Sequence, residues 1–386
     1  MKIIHVEDRF EPQAGYQINE LIKVQAKQGD KVIVITSQNP IFSDKSKLKE
    51  GDLVLKNKYD IDVIRLDYYA VISSRYLFKG LFKTIDNLNP DVVFLHGIGD
   101  FKDLILFGKA PKYTIVRDCH MSWVASKNKF ANIYYKFFKL FFSKIINKKD
   151  IYSKVFALGV EEAEYLDVLG INSEKVDFLY HGYNSDVMYY DFKGRNEVRS
   201  EYGFNEDDIV ISYIGKFDFN KRPDLIIDIL NELSGSLIEK KNIKLLLIGG
   251  KNLKFMSLFD EKINNLKKEI KFIIDDSKKF ESLRKYFSAS DICIFPKETT
   301  LSSIHAQVCR CPVIMENHYS NKERVIENKN LYDIDNIKEA SNILERIIVN
   351  REYDKENNAK YDNILRNRDY KVQISKLYNS VKMEKR

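Results

Sequence analysis

The chain lacks the features that would place it inside a membrane or carry it out of the cell. No run comes near the ~18 consecutive apolar residues that a membrane-spanning helix requires. The N-terminus has no apolar signal segment, because Met1–Ile4 gives way at once to His5, Glu7 and Asp8. We therefore expect the protein to stay in the cytoplasm, in solution or at the inner face of the membrane.

Cysteine is scarce and is not arranged for metal or redox chemistry. Only Cys309 and Cys311 lie close together among the four cysteines of the chain, and their C-x-C spacing matches no standard zinc or disulfide pattern. The other two, Cys119 and Cys293, are isolated. The sequence therefore predicts four buried free thiols.

Charge of one sign is not abundant enough to indicate nucleic-acid binding. The net charge is +7, and no nucleic-acid motif accompanies it. So mild an excess suits a protein that meets phosphates or an anionic membrane surface. An Asp-x-Asp motif after a predicted strand is also missing, so we expect no divalent metal.

What the chain does have is a repeated alternation of strands and helices. A strand at Lys2–Val6 is followed by a loop ending at Gly15, a helix from Tyr16 and a second strand at Lys31–Thr36, and the second half opens in the same way at Ile209–Ile214. Further strands are predicted in both halves: Ile61–Leu66, Val92–His96, Tyr113–Arg117, Val155–Leu158, Ile243–Ile248, Ile270–Ile274, Ile292–Phe295 and Pro312–Met315. This alternation predicts an α/β fold with two Rossmann-like, doubly wound domains.

Length and composition fit this division. The 386 residues suit about two domains, with hydrophobic residues at 44% and charged residues at 31%. We place the N-terminal domain at 1–185 and the C-terminal domain at 186–360, joined by a polar linker between Tyr180 and Arg199. A basic helical segment at 361–386 is expected to cross back to the N-terminal domain.

The segment 127–149 predicts an aromatic, lysine-rich helix. Eight apolar residues, six of them aromatic, recur at helical spacing between Phe130 and Ile145, and lysines cluster at both ends. One interpretation is a helix buried against the first domain. The other is a surface helix that dips into a membrane interface. The sequence leaves both open.

The strongest chemical signal is the basic turn Gly215–Pro223, which lies between a predicted strand and a predicted helix. Lys216 and Lys221 would add two full charges to the backbone N–H groups at the helix start, a combination suited to a pyrophosphate. A solvated basic turn is the alternative. Histidines form a second signal, since five of the six stand at or soon after predicted strand ends: His5, His96, His120, His181 and His305. We expect one or two of them to be functional and the rest structural.

The run from Tyr213 to Ile227 resembles the donor-phosphate loop of glycosyltransferase family 4, whose members have the GT-B fold. The resemblance assigns phosphate binding to Lys216 and Lys221. Three further segments carry the same resemblance. Thr114–His120 is similar to the segment whose histidine faces the donor sugar, the loop at Gly15 is similar to the glycine loop near the donor phosphates, and Leu179–Asn184 is similar to the domain junction.

The Glu-x(7)-Glu signature of that family is altered here. His305 stands at the position of the second glutamate, Lys297 at that of the first with Glu298 one residue later, and Arg310 replaces a usual glycine. His305 could still hold a ribose hydroxyl through a ring nitrogen, and Glu298 could reach the sugar. A set of hydroxyls follows that suits phosphate: Thr300, Ser302 and Ser303.

The resemblance implies a retaining glycosyltransferase with two domains facing a central cleft. The donor would be a nucleotide-diphosphate sugar, held by Gly15, Lys216, Lys221 and the 300–305 segment, with His120 and Glu298 as catalytic residues and no metal or cofactor. A glycan or lipid-linked acceptor, as in polysaccharide, lipopolysaccharide or glycoprotein glycan synthesis, would bind the first domain beside the helix. Two alternatives stay open: a nucleotide-sugar 2-epimerase on the same fold, and a non-catalytic partner of an active transferase.

Overall fold

The chain forms two compact units in a computed structural model that describes residues 1–41, 43–121, 131–149, 151–297 and 299–383. One unit comprises Met1–His181 together with Tyr370–Arg386, and the other comprises Gly182–Asp369. The division therefore lies four residues before the predicted boundary at 185, and the returning segment begins at Tyr370 rather than at 361.

The N-terminal unit is built on a seven-stranded, all-parallel sheet in the spatial order β3-β2-β1-β6-β7-β8-β9. Its elements are β1 (Lys2–Val6), α1 (Gln17–Lys27), β2 (Lys31–Ser37), α2 (Lys45–Tyr59), β3 (Asp62–Leu66), β4 (Tyr68–Ile72), β5 (Arg75–Phe78), α3 (Leu81–Leu88), β6 (Val92–Leu95), β7 (Thr114–Cys119), α4 (Ala131–Phe138), α5 (Lys144–Lys148), β8 (Tyr152–Ala157), α6 (Val160–Val168) and β9 (Val176–Phe178). The strand order reverses between β1 and β6, which makes their carboxyl ends the topological switch point of the sheet.

Alternate residues of β1 enter hydrophobic cores on opposite faces of the sheet. Ile4 and Val6 pack on one face of the sheet, whereas Ile3 packs on the other. A strand covered on both faces must be apolar throughout, which explains its continuous hydrophobic run. Sequence reasoning missed the antiparallel pair β4–β5, which stands outside this sheet and turns at Ser73 and Ser74 with φ of 49° and 64°.

The C-terminal unit repeats the architecture with a six-stranded parallel sheet in the order β12-β11-β10-β13-β14-β15. Its elements are α7 (Phe192–Glu201), β10 (Ile209–Ile214), α8 (Leu225–Asn231), α9 (Gly235–Lys240), β11 (Ile243–Ile248), α10 (Leu253–Ile263), β12 (Lys271–Asp275), α11 (Leu283–Ala289), β13 (Ile292–Phe295), α12 (Ser302–Val308), β14 (Val313–Glu316), α13 (Tyr319–Lys322), β15 (Leu331–Tyr332), α14 (Ile337–Val349) and α15 (Lys360–Ile364). The switch point lies between β10 and β13. The predicted α/β fold with two doubly wound units is confirmed.

The predicted linker is wrong in its second half, which forms α7. The Asp191 side chain caps this helix by accepting a hydrogen bond from the Gly194 amide at 2.8 Å. Arg199 at its other end forms an ion pair with Asp291. The helix was missed because it buries few residues and anchors itself through charged groups, which leaves no apolar periodicity to detect.

The last helix, α16 (Tyr370–Met383), belongs to the N-terminal unit. Tyr370, Ile374 and Leu377 recur at helical spacing and enter the core that also holds Leu21 and Val24 of α1. None of the helices within the described ranges is both long enough and apolar enough to cross a membrane. The four cysteines are buried free thiols, as predicted.

Gly249 lets the loop after β11 approach the loop after β10 closely. A Cβ placed on Gly249 would lie 1.6 Å from the carbonyl oxygen of Gly215, which is backbone and cannot move aside. We expect Gly249→Ala to destabilise the protein by about 3 kcal/mol, the upper range for forced overpacking. Gly250 is the matched control, because a Cβ there meets no atom within 4 Å. Urea unfolding of both variants tests this, and equal midpoints would contradict it.

Candidate functional site

The basic turn after β10 lies at the switch point of the C-terminal sheet. Lys221 Nζ donates a 2.7 Å hydrogen bond to the Thr299 carbonyl, which joins this turn to the loop after β13. The Asp218 carboxylate shapes the turn by accepting from the amides of Asn220 and Lys221 at 3.0 and 2.9 Å. Lys216 is exposed, and its carbonyl accepts from Tyr213 Oη at 2.6 Å. The cation of Lys221 is therefore fixed where ligands of doubly wound folds bind.

The predicted hydroxyl residues follow directly in the chain, but they differ in availability. Thr300 and Ser302 are half-buried at the start of α12. Ser303 is fully buried, and its hydroxyl donates to the Thr300 carbonyl at 2.7 Å. Since α12 has only seven residues, its dipole is small, and the positive charge of the site comes mainly from the lysines. Glu298 lies outside the described residues.

The three departures from the glutamate signature each have a structural setting. His305 is 5% exposed, its ring packs edge-on against Phe280 at 5.4 Å, and burial lowers its pKa to about 4, so it is neutral. The Lys297 ammonium is bound by Glu316 and Asp335 at 2.5 and 2.6 Å. His305 is thus enclosed by aromatic rings, and Lys297 carries a charge opposite to that of a glutamate.

Arg310 shows why the related position is usually glycine. Its φ is 59°, in the left-handed region that glycine adopts without strain. Its guanidinium bonds Asp362 at 2.8 Å and lies over the Tyr190 ring at 5.0 Å. These contacts offset the strained backbone.

The N-terminal unit carries a hydrogen-bonded chain of polar side chains at its own switch point. His120 Nε2 lies 2.9 Å from Asp118 Oδ1, and Asp118 Oδ2 lies 2.7 Å from His96 Nδ1. His96 Nε2 continues to His5 Nδ1 at 2.9 Å, and His5 Nε2 ends at the Gln25 side-chain amide at 2.8 Å. Of these three histidines, only His120 is exposed, at 39%. A ligand can therefore contact this series of hydrogen-bonded side chains at His120.

The electrostatic environment gives different charges to His5 and His120, which lie towards opposite ends of the hydrogen-bonded series. Burial and the neighbouring His96 lower the pKa of His5 to about 3, so its ring is neutral. The part of the His120 ring that is shielded from water disfavours its charge, but the Asp118 carboxylate outweighs this effect and raises the pKa of His120 to about 9. Burial disfavours the Asp118 charge as well, yet His120 and His96 hold its pKa well below the usual range. An imidazolium at His120 therefore faces the pocket at neutral pH.

A buried ionic network fixes the loop that follows β6. Lys102 Nζ lies 2.7 Å from Asp8 and 2.9 Å from Asp100. Arg117 bonds Asp100 at 3.2 Å and the Gly97 carbonyl at 2.8 Å. The Gly97 amide in turn donates to Asp118 Oδ1 at 2.7 Å. The network thus holds the carboxylate that charges His120, and breaking one of its buried pairs would leave an uncompensated charge.

A pocket of about 340 Å³ opens at these strand ends, lined by Glu7, Arg75, His96 and His120. Burial raises the pKa of Glu7, although His96, Lys102 and His120 oppose this shift. The arrangement places a cationic imidazole and a carboxyl group in one cleft, which suits binding of a polar substrate that develops charge.

His96, Asp118 and His120 also place three metal-ligating atoms within 4.8 Å of one another. Hydrogen bonds within the cluster account for this closeness. Asp118 presents one oxygen to each histidine, and the remaining nitrogen of His96 is bonded to His5. These hydrogen bonds engage both Asp118 oxygens and both ring nitrogens of His96.

Gly15 has a φ of 68°, so the loop before α1 needs the freedom of glycine. The next residue but one, Gln17, is 5% exposed, and its side-chain oxygen and nitrogen find no hydrogen-bond partner among the described residues. Unpaired buried amides are costly, so this position is suited to a ligand.

Sequence reasoning assigned Lys216, Lys221, Thr300 and Ser302 to the donor phosphates, and the structure brings Lys221 to the loop that precedes Thr300. It also placed His120 soon after a strand. It missed Gln17, Glu7, Arg75 and Asp118. Glu7 and Asp118 stand at strand ends and could have been found by the rule that identified the histidines. Arg75 and Gln17 carried no such signal, since one lies on the unpredicted hairpin and the other inside a helix.

Comparison with known proteins supports this architecture. Residues 194–364, just under half of the chain, match the family model described as glycosyl transferases group 1. No curated protein matches the chain by sequence. A glycosyltransferase from Rickettsia africae is similar in structure, with 16% identity, a TM-score of 0.71, and coverage of 99% of this chain and 98% of that one.

Two further solved structures are similar over nearly their full length. HepE of Anabaena, in complex with UDP-glucose, has 16% identity and a TM-score of 0.68, covering 98% of this chain and 100% of that one. WaaG, a glycosyltransferase involved in lipopolysaccharide biosynthesis, has 14% identity and a TM-score of 0.67, covering 98% of this chain and 99% of that one. The chain thus has the GT-B architecture of two Rossmann-like domains, and the match to the glycosyl transferases group 1 model lies within its C-terminal unit.

Proposed function

We propose that the chain is a retaining glycosyltransferase of family 4 type, which moves a sugar from a nucleotide-diphosphate sugar to a glycan or lipid-linked acceptor. The observation that carries the proposal is the Lys221 ammonium, fixed at the switch point beside Thr299, within the region that matches glycosyl transferases group 1. Surface polysaccharide, lipopolysaccharide or glycoprotein glycan synthesis in the cytoplasm is the proposed context.

The C-terminal unit would bind the donor through its diphosphate. Lys221 and Lys216 supply two cations, and Thr300 and Ser302 supply hydroxyls. As the bond between sugar C1 and the phosphate oxygen breaks, negative charge grows on the diphosphate, and fixed cations stabilise it. The new bond forms between C1 and the acceptor oxygen, and the acceptor proton passes to the departing diphosphate. The products are a nucleoside diphosphate and the glycosylated acceptor.

The N-terminal unit would bind the acceptor, and His120 would contact the transferred sugar. A cationic imidazole held by Asp118 suits a hydrogen bond to a sugar hydroxyl that strengthens as charge develops. The proposed reaction uses no metal, because the lysines take the place of a divalent ion at the diphosphate. A rate unchanged by EDTA is the expected result.

The first test is binding of nucleotides in the absence of metal. UDP is the first candidate, since HepE was solved with UDP-glucose. GDP, ADP and CMP complete the panel. A ligand that binds only the folded protein raises its melting temperature by mass action. A shift with one nucleoside diphosphate supports the donor site and identifies the base, whereas no shift with any of them opposes it.

A non-catalytic partner subunit is a second candidate, favoured by the setting of Lys297 and His305. Lys297 is held by two carboxylates, and His305 is enclosed by aromatic rings. Such a subunit would bind the nucleotide sugar without consuming it. Nucleotide binding without turnover on any acceptor would favour this candidate.

We also propose that the 127–149 segment meets an anionic membrane. In its described part, α4 and α5 are joined by a π-helical turn, Lys139–Ser143, and Phe138 and Ile146 are buried. The opposite side forms an exposed apolar face made of four residues: Ile133, Phe137, Leu140 and Phe141, exposed by 68, 51, 54 and 50%. Exposed lysines surround this apolar face, as in helices that lie in a membrane interface. One side of the segment is therefore buried against the unit, and membrane contact is proposed for the other side.

Replacing Leu140 and Phe141 by serine should weaken binding to vesicles that contain phosphatidylglycerol by about tenfold or more, because two large apolar side chains no longer leave water. Sedimentation with vesicles measures this. The matched control replaces Leu253 and Val349 by serine, which are exposed by 86 and 59% in the C-terminal unit. Equal loss in both double variants would contradict membrane contact by the apolar face.

A further inference from the structure

The N-terminal unit contains a second cavity of about 460 Å³, whose inner wall is aromatic. Phe138 and Phe142 stack in it at 5.2 Å, and Tyr135 meets Tyr165 edge-on at 5.4 Å. The Tyr134 hydroxyl donates to the Gly99 carbonyl at 3.0 Å, which turns its polar end toward the backbone. The wall therefore presents mainly ring surface to an occupant.

The carboxylates of the wall are already engaged. Asp103 accepts from the Tyr152 hydroxyl at 2.6 Å and from the Gly99 amide at 2.8 Å. Asp100 is bonded by Lys102 and Arg117. A nucleotide base or a sugar would need unused polar partners here, whereas a hydrocarbon needs none.

The rim of the cavity is apolar and exposed. Ile72, Leu104 and Phe137 line it while keeping 61, 43 and 51% of their surface exposed. Phe137 also belongs to the apolar face of the helix and contacts Phe141 at 4.8 Å. The cavity thus opens beside the surface for which membrane contact is proposed, and a lipid chain could enter it from there.

The cavity adjoins the His120 pocket and shares four lining residues with it: Ser73, Arg75, Asp100 and Met121. Arg75 stands at this junction and is 29% exposed. Its side-chain polar contacts among the described residues are weak, with Asp100 at 3.8 Å and the Met121 sulfur at 3.5 Å. A guanidinium has five N–H donors, so Arg75 keeps most of them for an anion.

We propose that this cavity binds the hydrocarbon chain of a lipid phosphate-linked sugar, which is the acceptor of the reaction. The three parts of such a molecule match three successive regions of the site. The chain lies in the aromatic cavity, the phosphate lies at Arg75, and the sugar hydroxyl reaches the His120 pocket. The inference rests on the proposed function and names the substrate class that the N-terminal unit selects.

Calorimetric titration with farnesyl phosphate, farnesol and inorganic phosphate, each below its aggregation limit, tests the inference without turnover. Farnesyl phosphate is expected to bind, farnesol about tenfold more weakly because it lacks the charged partner of Arg75, and phosphate alone not measurably. Arg75→Gln should remove the preference for farnesyl phosphate over farnesol. Equal binding of the two lipids by the unchanged protein would overturn the role of Arg75 and indicate an uncharged apolar acceptor.

A matched pair of variants tests where the hydrocarbon chain of farnesyl phosphate binds. Leu104→Glu puts a charge on the rim of the cavity and should weaken farnesyl phosphate binding about tenfold. Leu53→Glu puts the same charge on an exposed leucine of α2 in the same unit, outside the cavity lining, and should not change it. Equal effects in both variants, or no farnesyl phosphate binding by the unchanged protein, would overturn the inference.

The same samples are titrated with UDP, which separates this inference from the proposed function. UDP binding without farnesyl phosphate binding would reject the cavity but leave the transferase standing. Farnesyl phosphate binding by a protein that transfers no sugar would reject the transferase and leave a lipid-binding cavity.

Discussion

Replacement of Lys221 by methionine is expected to weaken binding of the nucleoside diphosphate about 10- to 100-fold. A charge-assisted hydrogen bond contributes about 1.5–3 kcal/mol, which corresponds to a loss of that size. Methionine keeps most of the lysine stem and its packing, so the change removes mainly the ammonium. The melting-temperature shift produced by the nucleotide, measured over a series of concentrations, gives the change in affinity.

The control for this variant is Lys285→Met, which removes another lysine of the same unit. Lys285 pairs with Glu197 at 2.6 Å and is 36% exposed, outside the switch point. It should leave nucleotide affinity unchanged. Because Lys221 also bonds the Thr299 carbonyl, the ligand-free melting temperature is compared as well. A loss of stability with unchanged affinity would make Lys221 a structural residue.

Replacement of Asp118 by asparagine is expected to lower kcat by about 100-fold or more, because the charge that holds His120 as an imidazolium is lost. Asp118 accepts from His96 with one oxygen and from His120 and the Gly97 amide with the other. An asparagine has one acceptor oxygen, so its NH₂ group must face one of these donors. The variant therefore removes the carboxylate that keeps His120 protonated and disturbs the hydrogen bonds that orient its ring.

The pH dependence gives this variant a readout that a general loss of stability would not produce. In the unchanged protein the pKa of His120 is raised to about 9, so activity should fall as the pH rises through 9. In Asp118→Asn the midpoint should move toward the usual 6.5. NMR titration of the His120 ring measures this directly, and Asp177→Asn, an exposed aspartate of the same sheet, is the control. A His120 midpoint still near 9 would contradict the assignment.

The stability of the folded protein should also depend on pH through His120 and Asp118, and the pKa shifts fix the direction of the change. The pKa of His120 is higher in the folded state, so its contribution is complete below pH 6.5 and is lost as the pH rises through 9. The pKa of Asp118 is lower in the folded state, so its contribution is present above its usual pKa and is lost in acid. The pair is therefore most stabilising in the weakly acidic range.

The fold followed from the sequence because buried parallel strands carry their own signature. Ile209–Ile214, Ile243–Ile248 and Ile292–Phe295 were predicted with their observed bounds, since each is a short β-branched or leucine-rich run closed by glycine or proline. The hairpin β4–β5 was missed because its strands are half exposed and turn through two serines rather than glycine. Its position matters, since it brings Arg75 and Ile72 to the proposed acceptor cavity.

The site followed from the sequence only in part. The rule that ligands bind at strand ends selected Lys221 and His120 without knowledge of which strands are neighbours. The chain from His5 to His96 and Asp118 could not be predicted in this way, because His5 and His96 are 91 positions apart and meet only through the strand order β1-β6-β7. The enclosure of His305 by aromatic rings likewise depends on tertiary packing.

Sugar transfer itself is the most direct test of the central claim. The purified chain is incubated with labelled UDP-glucose, or with the sugar of the nucleotide that binds, together with a lipid-linked glycan acceptor and EDTA, and the products are followed by mass spectrometry and NMR. We predict release of the nucleoside diphosphate that depends on the acceptor, and a product that keeps the anomeric configuration of the donor. Isomerisation of the donor sugar without acceptor, or binding with no consumption of any donor, would contradict a glycosyltransferase.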